Sequence, residues 1–219
     1  MYLRRWLHET PVFVELQQRK ALAAELPIKA VLRRHRGAVA QSMLLTWMLS
    51  AAIVVVILMT PALLQKIYGF DARTALGANT LAALCLAVGC IGAGALADRF
   101  GARRVLIVGT VLLAVCTYGF YTTLATRPDL LRPLYALLGL SVGVVGVVPS
   151  VMVRAFPPQV RFSGLSFSYN LAYAIFGGLT PVMVTLMLKT EPLAPAYYVI
   201  ALCGLGLLTA ACFKDERRF

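Results

Sequence analysis

Six long apolar runs constrain the fold of this sequence more than any other feature. They span about residues 40–64, 75–97, 105–124, 130–153, 163–188 and 196–213. A helix needs roughly 20 apolar residues to cross the hydrocarbon core of a bilayer, and each run is about that long. Because no water is present there to satisfy backbone N–H and C=O groups, such runs form helices. The sequence therefore predicts an all-α membrane protein with six transmembrane helices.

The composition of the 219-residue chain supports this prediction. Hydrophobic residues make up 60% and charged residues 14%, whereas a soluble domain has roughly 25% charged residues. The net charge of +12 is also found in nucleic-acid-binding proteins, but here the basic residues lie between the apolar runs and no nucleic-acid-binding motif is present. We therefore expect membrane lipids, and not nucleic acid, as the partners of these charges.

Lysine and arginine are divided unevenly between the two sides of the predicted membrane. Sixteen of the 21 lie in residues 1–38, in the second and fourth connecting segments and at the C-terminus, and the other five are Lys66, Arg73, Arg127, Arg132 and Lys189. Cytoplasmic segments are enriched in basic residues. The asymmetry predicts that both termini, residues 1–38 and 214–219, are cytoplasmic. As a separate expectation, the protein lies in the plasma membrane, which is the inner membrane in a bacterium.

The apolar runs lack the residue types that carry catalytic or metal chemistry. Both histidines, His8 and His35, lie in the N-terminal segment, and no Asp or Glu lies in the interior of a run. The five cysteines fall inside the runs without metal-ligand spacing to a histidine, so we interpret them as small packing residues. A membrane enzyme is therefore disfavoured, and we expect no catalytic residue, no metal and no cofactor.

Three local features predict structure elsewhere in the chain. Pro27 can open a short helix before the first run. Gly139 and Gly143 have the spacing of a helix-packing face in the fourth run. The end of the third run is expected to form an interfacial aromatic cluster of Tyr118 and Tyr121 with Thr122 and Thr123.

A charged turn between the second and third runs has the most distinctive pattern. Residues 94–104 read Gly-Ala-Leu-Ala-Asp-Arg-Phe-Gly-Ala-Arg-Arg. Gly101 allows the backbone angles of a tight reversal, and the Asp98 carboxylate can reach a neighbouring arginine or a helix N-terminus. Arg103 and Arg104 lie where anionic headgroups would hold them. The residues by themselves leave open a simple charged turn at the membrane surface.

The Gly-x-Leu-Ala-Asp-Arg-x-Gly-x-Arg-Arg pattern resembles the loop signature of the major facilitator superfamily of transporters, where it follows the second helix of each six-helix half. The resemblance implies a role in conformational gating for this turn and for one arginine of the fourth connecting segment. These residues are Gly94, Asp98, Arg99, Gly101, Arg103, Arg104 and Arg161. Arg161 either anchors its loop to lipid phosphate or pairs with the Asp98 corner.

Further stretches are similar to the metabolite:proton symporter branch of this superfamily, which includes relatives of the shikimate, α-ketoglutarate, citrate and proline/betaine transporters. They are residues 4–13, 26–33, 156–164, 169–172 and 176–181. A complete member has twelve helices, and these stretches are similar to its central loop and its last six helices. The resemblance thus implies a C-terminal half-bundle over residues 39–213, which works with a missing N-terminal half or as a homodimer.

The resemblance also places the substrate between two halves near the middle of the membrane, with the first, second, fourth and fifth runs facing it. The polar residues of these runs become candidate substrate contacts: Gln41, Thr46, Trp47, Asn79, Tyr169, Asn170 and Tyr173. Each has a structural alternative, such as a hydrogen bond from Asn170 to a neighbouring helix. Helix bends, either for gating or as tolerated kinks, are expected at Pro61, Gly177, Gly178 and Pro181.

These features together predict a secondary transporter that moves a small polar or anionic metabolite with protons by alternating access. The expected partners are the metabolite, protons, membrane lipids and a second six-helix half. The alternative that the sequence leaves open is a non-transporting membrane remnant or an interaction module.

Overall fold

Six membrane-length helices follow one another along the chain, in the order of the six apolar runs. The structure, a computed structural model, describes residues 27–212. After a short helix α1 (Pro27–Arg34) come α2 (Arg36–Lys66), α3 (Ala72–Phe100), α4 (Ala102–Thr126), α5 (Pro128–Arg154), α6 (Arg161–Met187) and α7 (Ala194–Cys212). These residues contain no strand, and all six long helices are apolar enough to span a membrane. The predicted all-α fold with six spans is confirmed. The N-terminal segment up to residue 26 and the predicted tail 214–219 lie outside the described residues.

Helices α2 and α5 form the centre of the bundle. In the most apolar stretch of each, 61% of the residues are buried, against 11% in α3 and 17% in α6. Helix α3 packs mainly on α5, α6 packs mainly on α2, and α4 and α7 pack against each other. Since α2 and α5 begin three spans apart, they start on opposite sides of the membrane, as in an inverted repeat. The bundle thus consists of two three-helix units, α2–α4 and α5–α7. The second helix of each unit packs against the first helix of the other unit.

Glycine residues bring α3 and α5 into close contact. A Cβ atom added at Gly139 would collide with the backbone of Ala82, and one added at Gly143 would collide with the backbone of Gly89. Lipid tails are as apolar as leucine, so helices in a membrane associate by close packing and not by the hydrophobic effect. The predicted packing face on α5 is therefore confirmed, and it holds the exposed helix α3 to the centre of the bundle.

A π-helical turn interrupts α2 at Val54–Met59, directly before Pro61. Proline has no N–H to donate, so the turn before it loses a backbone hydrogen bond. The Val55 carbonyl accepts both the Thr60 N–H and, at 2.8 Å, the Thr60 hydroxyl, and the Tyr135 hydroxyl donates to the Val56 carbonyl, so both carbonyls are satisfied. Helix α2 consequently continues past Pro61 for another turn.

Two buried tyrosines connect this π turn to α4 and α5. The Tyr135 hydroxyl lies 2.5 Å from the Val56 carbonyl and 2.6 Å from Oδ1 of Asn79, and the Tyr121 hydroxyl lies 2.7 Å from Oγ1 of Thr60. Both rings are buried in the protein. The expectation that Tyr121 belongs to an interfacial aromatic cluster is therefore wrong, because Thr60 provides the partner that a buried tyrosine hydroxyl needs.

The short helix α1 packs against one end of the bundle. It begins at Pro27, as predicted. Val31 is fully buried and packs with Val39 of α2 and with Phe156 and Val160 between α5 and α6. The α3–α4 turn lies at the same end of the bundle. Helix α1 and this turn are therefore on the same side of the membrane.

Asp71 caps the opposite end of α3. Its carboxylate accepts a hydrogen bond from the Thr74 N–H at 2.9 Å, as N-cap residues do. Hydrogen bonds from the Thr74 side chain and backbone hold the pKa of Asp71 below its usual value. The carboxylate is thus charged at neutral pH and acts as a helix cap.

We expect Gly143→Ala to destabilise the protein, because the new methyl group meets the Gly89 backbone, which has no flexible end to move aside. Overpacking of this kind costs about 1–3 kcal/mol. The Tm of the purified protein in detergent should fall. Gly92→Ala is the matched control, since no atom lies within 4 Å of its Cβ position. Equal Tm values for the two variants would contradict the proposed contact.

Candidate functional site

An aromatic cluster joins α2, α6 and α7. The rings of Trp47 in α2 and Phe176 in α6 are stacked, with centroids 4.1 Å apart and planes 8° from parallel. The indole N–H of Trp47 donates to the hydroxyl of Tyr198 in α7 at 3.1 Å, and this hydroxyl lies 3.0 Å from Oγ1 of Thr180. Thr180 lies 2.7 Å from the Phe176 carbonyl. Ring stacking and hydrogen bonds therefore link all three helices at one place.

The directions of these hydrogen bonds follow from the number of protons available. Each hydroxyl has one proton to donate. Because Thr180 donates to the Phe176 carbonyl, Tyr198 is the donor to Thr180 and the acceptor from Trp47. A satisfied network of this kind rigidifies its surroundings. Trp47 is thus held in one orientation, with part of its ring still exposed.

A second π-helical turn, Tyr173–Gly177, lies at this cluster. Such turns are rare and occur frequently at functional sites. Gly178 follows directly, and Pro181 lies inside the next helical turn without an N–H to donate. The residues expected to bend α6 therefore lie in or beside an interruption of its regular hydrogen bonding.

Three of the predicted site residues lie on the poorly buried part of α6. The rings of Tyr169 and Tyr173 are 5.6 Å apart and half-buried. Asn170 is exposed, and its amide donates to the Ser166 carbonyl of the same helix at 2.8 Å. No bond from Asn170 to a neighbouring helix is present among residues 27–212. The two tyrosine hydroxyls and the Asn170 amide oxygen remain available for a ligand.

The other polar candidates are engaged within the bundle. Gln41 donates to a backbone carbonyl of α7 at 3.3 Å, and Asn79 lies within hydrogen-bond distance of Tyr135. Thr46 is fully buried and donates to the Ser42 carbonyl at 2.8 Å. The structure therefore joins Trp47 to α6 through Phe176, one helical turn from Tyr173, whereas Gln41 and Asn79 stabilise helix contacts and Thr46 bonds within its own helix.

Phe176 and Tyr198 belong to the cluster but are not among the candidates derived from the sequence. Their contacts depend on how α6 and α7 pack on α2, which no local pattern reveals. One usable signal exists for Tyr198, because a tyrosine inside an apolar run needs a hydrogen-bond partner when it is buried. The same signal applies to Tyr135.

The charged turn between α3 and α4 consists of one residue, Gly101. Its φ of +92° is a conformation that favours glycine. Arg103 donates to the Ala211 carbonyl near the end of α7 at 2.8 Å, which satisfies one of the carbonyls that a helix end leaves open. The Arg99 guanidinium lies 5.4 Å from the centre of the Phe100 ring. The turn is thus anchored to α7 through Arg103.

Asp98 and Arg161 do not meet in this structure. Asp98 is exposed and forms no ion pair within the described part of the chain. Arg161 donates to the Phe156 carbonyl of its own loop at 3.2 Å. At Gly94 no atom lies within 4 Å of a Cβ position. Of the two roles expected for Arg161, pairing with the Asp98 corner is absent here.

Comparison with known proteins agrees with the fold and the motif. Residues 3–181 match the family model of the Major Facilitator Superfamily. The chain is 32% identical to the citrate-proton symporter of Klebsiella pneumoniae over 223 residues, which cover 98% of this chain and 49% of that protein.

Two further relatives have similar coverage. The chain is 28% identical to the inner membrane metabolite transport protein YhjE of Escherichia coli (strain K12), over 99% of this chain and 51% of that protein. It is 25% identical to a putative proline/betaine transporter of Staphylococcus aureus (strain COL), over 95% of this chain and 46% of that protein. The chain thus spans about half the length of these curated relatives. With six membrane-length helices and a family match over most of its length, this multi-pass membrane protein belongs to the Major Facilitator Superfamily.

Proposed function

We propose that the chain forms one half of a secondary transporter that moves a small polar metabolite together with protons. The observation that carries the proposal is the polar, poorly buried surface of α6 beside Trp47, at a π-helical turn. Membership in the superfamily and relatives named as a citrate-proton symporter support a transport function. The second six-helix unit comes either from the rest of a longer protein or from a second copy of this chain.

The substrate contacts are Tyr169, Asn170 and Tyr173, with Trp47 as a rigid wall. The two tyrosine hydroxyls can donate hydrogen bonds to a carboxylate, and the Asn170 amide oxygen can accept one from an ammonium or hydroxyl group. Aromatic faces can bind an ammonium group by cation–π interaction. The site therefore suits an anionic or zwitterionic metabolite of small size. Gln41, Thr46 and Asn79 support the site from within the bundle.

The proton-binding group belongs to the second half of the transporter. In the described chain the acidic residues are Asp71, Asp98, Asp129 and Glu191, and all four lie at helix ends or in connecting segments. A proton relay across a membrane is built from ionisable residues in its interior. Such residues must therefore be supplied by the partner unit.

Helix α6 is the element that moves during alternating access. It has few buried side chains, and its hydrogen bonding is already interrupted at Tyr173–Gly177 and Pro181. Segments with few buried contacts open at low free-energy cost. The Asp98 turn, whose carboxylate forms no ion pair among residues 27–212, contacts the second half in one of the two access states. The excess of basic residues orients both termini toward the cytoplasm of a bacterial inner membrane.

Uptake measurements test the proposal. The chain is expressed alone, or with the N-terminal six-helix half of the Klebsiella pneumoniae citrate-proton symporter, in cells unable to import citrate. The same is done for proline and betaine with the corresponding half of the proline/betaine relative. We expect uptake of labelled substrate only when both halves are present, and its loss on adding a protonophore, because the partner half completes the cavity and supplies the acidic groups.

Two other results would contradict the proposal. Protonophore-sensitive uptake by the chain alone would contradict the assignment of the proton-binding group to a different half, because copies of this chain would then suffice. No uptake in either case, with normal membrane insertion, would favour a non-transporting interaction module.

We expect Asn170→Ala to raise the KM for uptake about threefold to tenfold, since a neutral hydrogen bond contributes about 0.5–1.5 kcal/mol. The Tm should stay unchanged, because the described bond of Asn170 lies within its own helix. Thr122→Ala on α4 is the control, because this hydroxyl also bonds only within its helix. A KM equal to that of the control would remove Asn170 from the site.

A further inference from the structure

A groove of about 580 Å³ runs between α3, α4 and α5 on the outside of the bundle. We propose that it binds one anionic phospholipid, with an acyl chain along the groove and the phosphate at Arg104. Its walls are formed mainly by aliphatic side chains and one phenyl ring. They include Val88, Leu96 and Phe100 of α3 and Val108 and Leu112 of α4.

The lining excludes a polar ligand from the interior of the groove. Its two polar lining residues are Arg104 and Ser141. The Ser141 hydroxyl donates to the Leu138 carbonyl of its own helix at 2.7 Å. Val88 and Val108 are 63% and 68% exposed, so the groove is open at the outer surface of this half. A hydrocarbon chain is the ligand that matches this surface.

The length of the groove corresponds to one leaflet of the bilayer. From Val88 to Phe100, α3 rises about 18 Å at 1.5 Å per residue. One leaflet contributes about 15 Å to a hydrocarbon core that is about 30 Å thick. The groove ends at the α3–α4 turn, where the helices reach the membrane surface. An acyl chain from that leaflet therefore fits lengthwise, with its headgroup beside the turn.

The charge at the end of the groove selects an anionic headgroup. The turn carries Arg99, Arg103 and Arg104 against one acidic residue, Asp98. Arg103 is engaged with the end of α7, and Arg99 lies over an aromatic ring. Arg104 is exposed and has no partner among residues 27–212. Its guanidinium can therefore form charge-assisted hydrogen bonds with a phosphate.

Charge also argues against a second copy of the chain as the occupant. In a symmetric dimer the same patch meets itself. A dimer built on this groove, with its axis along the membrane normal, would bring two arginine-rich turns together. Like charges facing each other across an interface are unfavourable. The phospholipid brings the opposite charge to the same place.

Native mass spectrometry of the full chain in detergent tests the assignment. The protein is titrated with phosphatidylglycerol or with phosphatidylcholine of identical acyl chains. We expect tighter binding of the first phosphatidylglycerol molecule. Arg104→Gln should weaken that binding about fivefold, the effect of one arginine near an anionic surface, and leave phosphatidylcholine unaffected. Arg73→Gln, at the other end of α3, is the charge control and should change the binding of neither lipid.

A second variant tests the groove itself. Gly92→Leu places a side chain in the groove, at a position where no atom lies within 4 Å of the added Cβ, and should weaken binding of both lipids. Gly77→Leu on the same helix has equal space outside the groove and should bind both normally. Equal lipid affinities for Arg104→Gln and Arg73→Gln, or for Gly92→Leu and Gly77→Leu, would overturn the proposal. Loss of a dimer in Gly92→Leu with unchanged lipid binding would also overturn the proposal, because the groove would then be an interface between copies of the chain.

Discussion

Inside hydrocarbon, water neither satisfies a free backbone group nor drives apolar helices together. The rest of this structure depends on how the chain meets these two conditions. Close packing at Gly143 and Gly89 holds α3 on α5 where hydrophobicity gives no driving force. Hydroxyl groups satisfy the backbone where α2 departs from regular α-helical geometry, through Thr60 and Tyr135. Small residues and buried hydroxyls thus do what a hydrophobic core does in a soluble protein.

The backbone groups of the two π-helical turns are satisfied to different extents. In α2 the turn is surrounded by buried side chains, and its carbonyls are held by groups from its own helix and from α5. In α6 the corresponding region relies on Thr180, Tyr198 and the stacked ring of Trp47, and most of the helix is exposed. Helix α2 is therefore the fixed wall of the proposed site and α6 the movable one. A substrate that bridges Trp47 and the α6 surface would stabilise one arrangement of the two walls.

The sequence predicted the six spans, the turn at Gly101 and the packing face at Gly143, because each of these depends on local length or on a local steric requirement. It did not predict which way Gln41, Thr46 or Tyr121 would point. A helix that is apolar all round carries no stripe that fixes its rotation about its own axis. That rotation is set by contacts with other helices, such as Thr60 with Tyr121 and Trp47 with Tyr198. For the same reason, of the residues in the aromatic cluster, the sequence identified Trp47 as a candidate but not Phe176 or Tyr198.

The central claim is that the α6 surface around Asn170 lines a water-filled cavity once two six-helix units are assembled. Cysteine accessibility tests it directly, in a two-half protein whose five native cysteines have been replaced. We expect a charged, membrane-impermeant thiol reagent to label Asn170→Cys in membranes and transported substrate to slow the labelling. Leu208→Cys, at a site on α7 that is 66% exposed and that we expect to face lipid, should remain unlabelled. Equal lack of labelling at both positions would contradict the claim, because the α6 surface would then face hydrocarbon and not a substrate path.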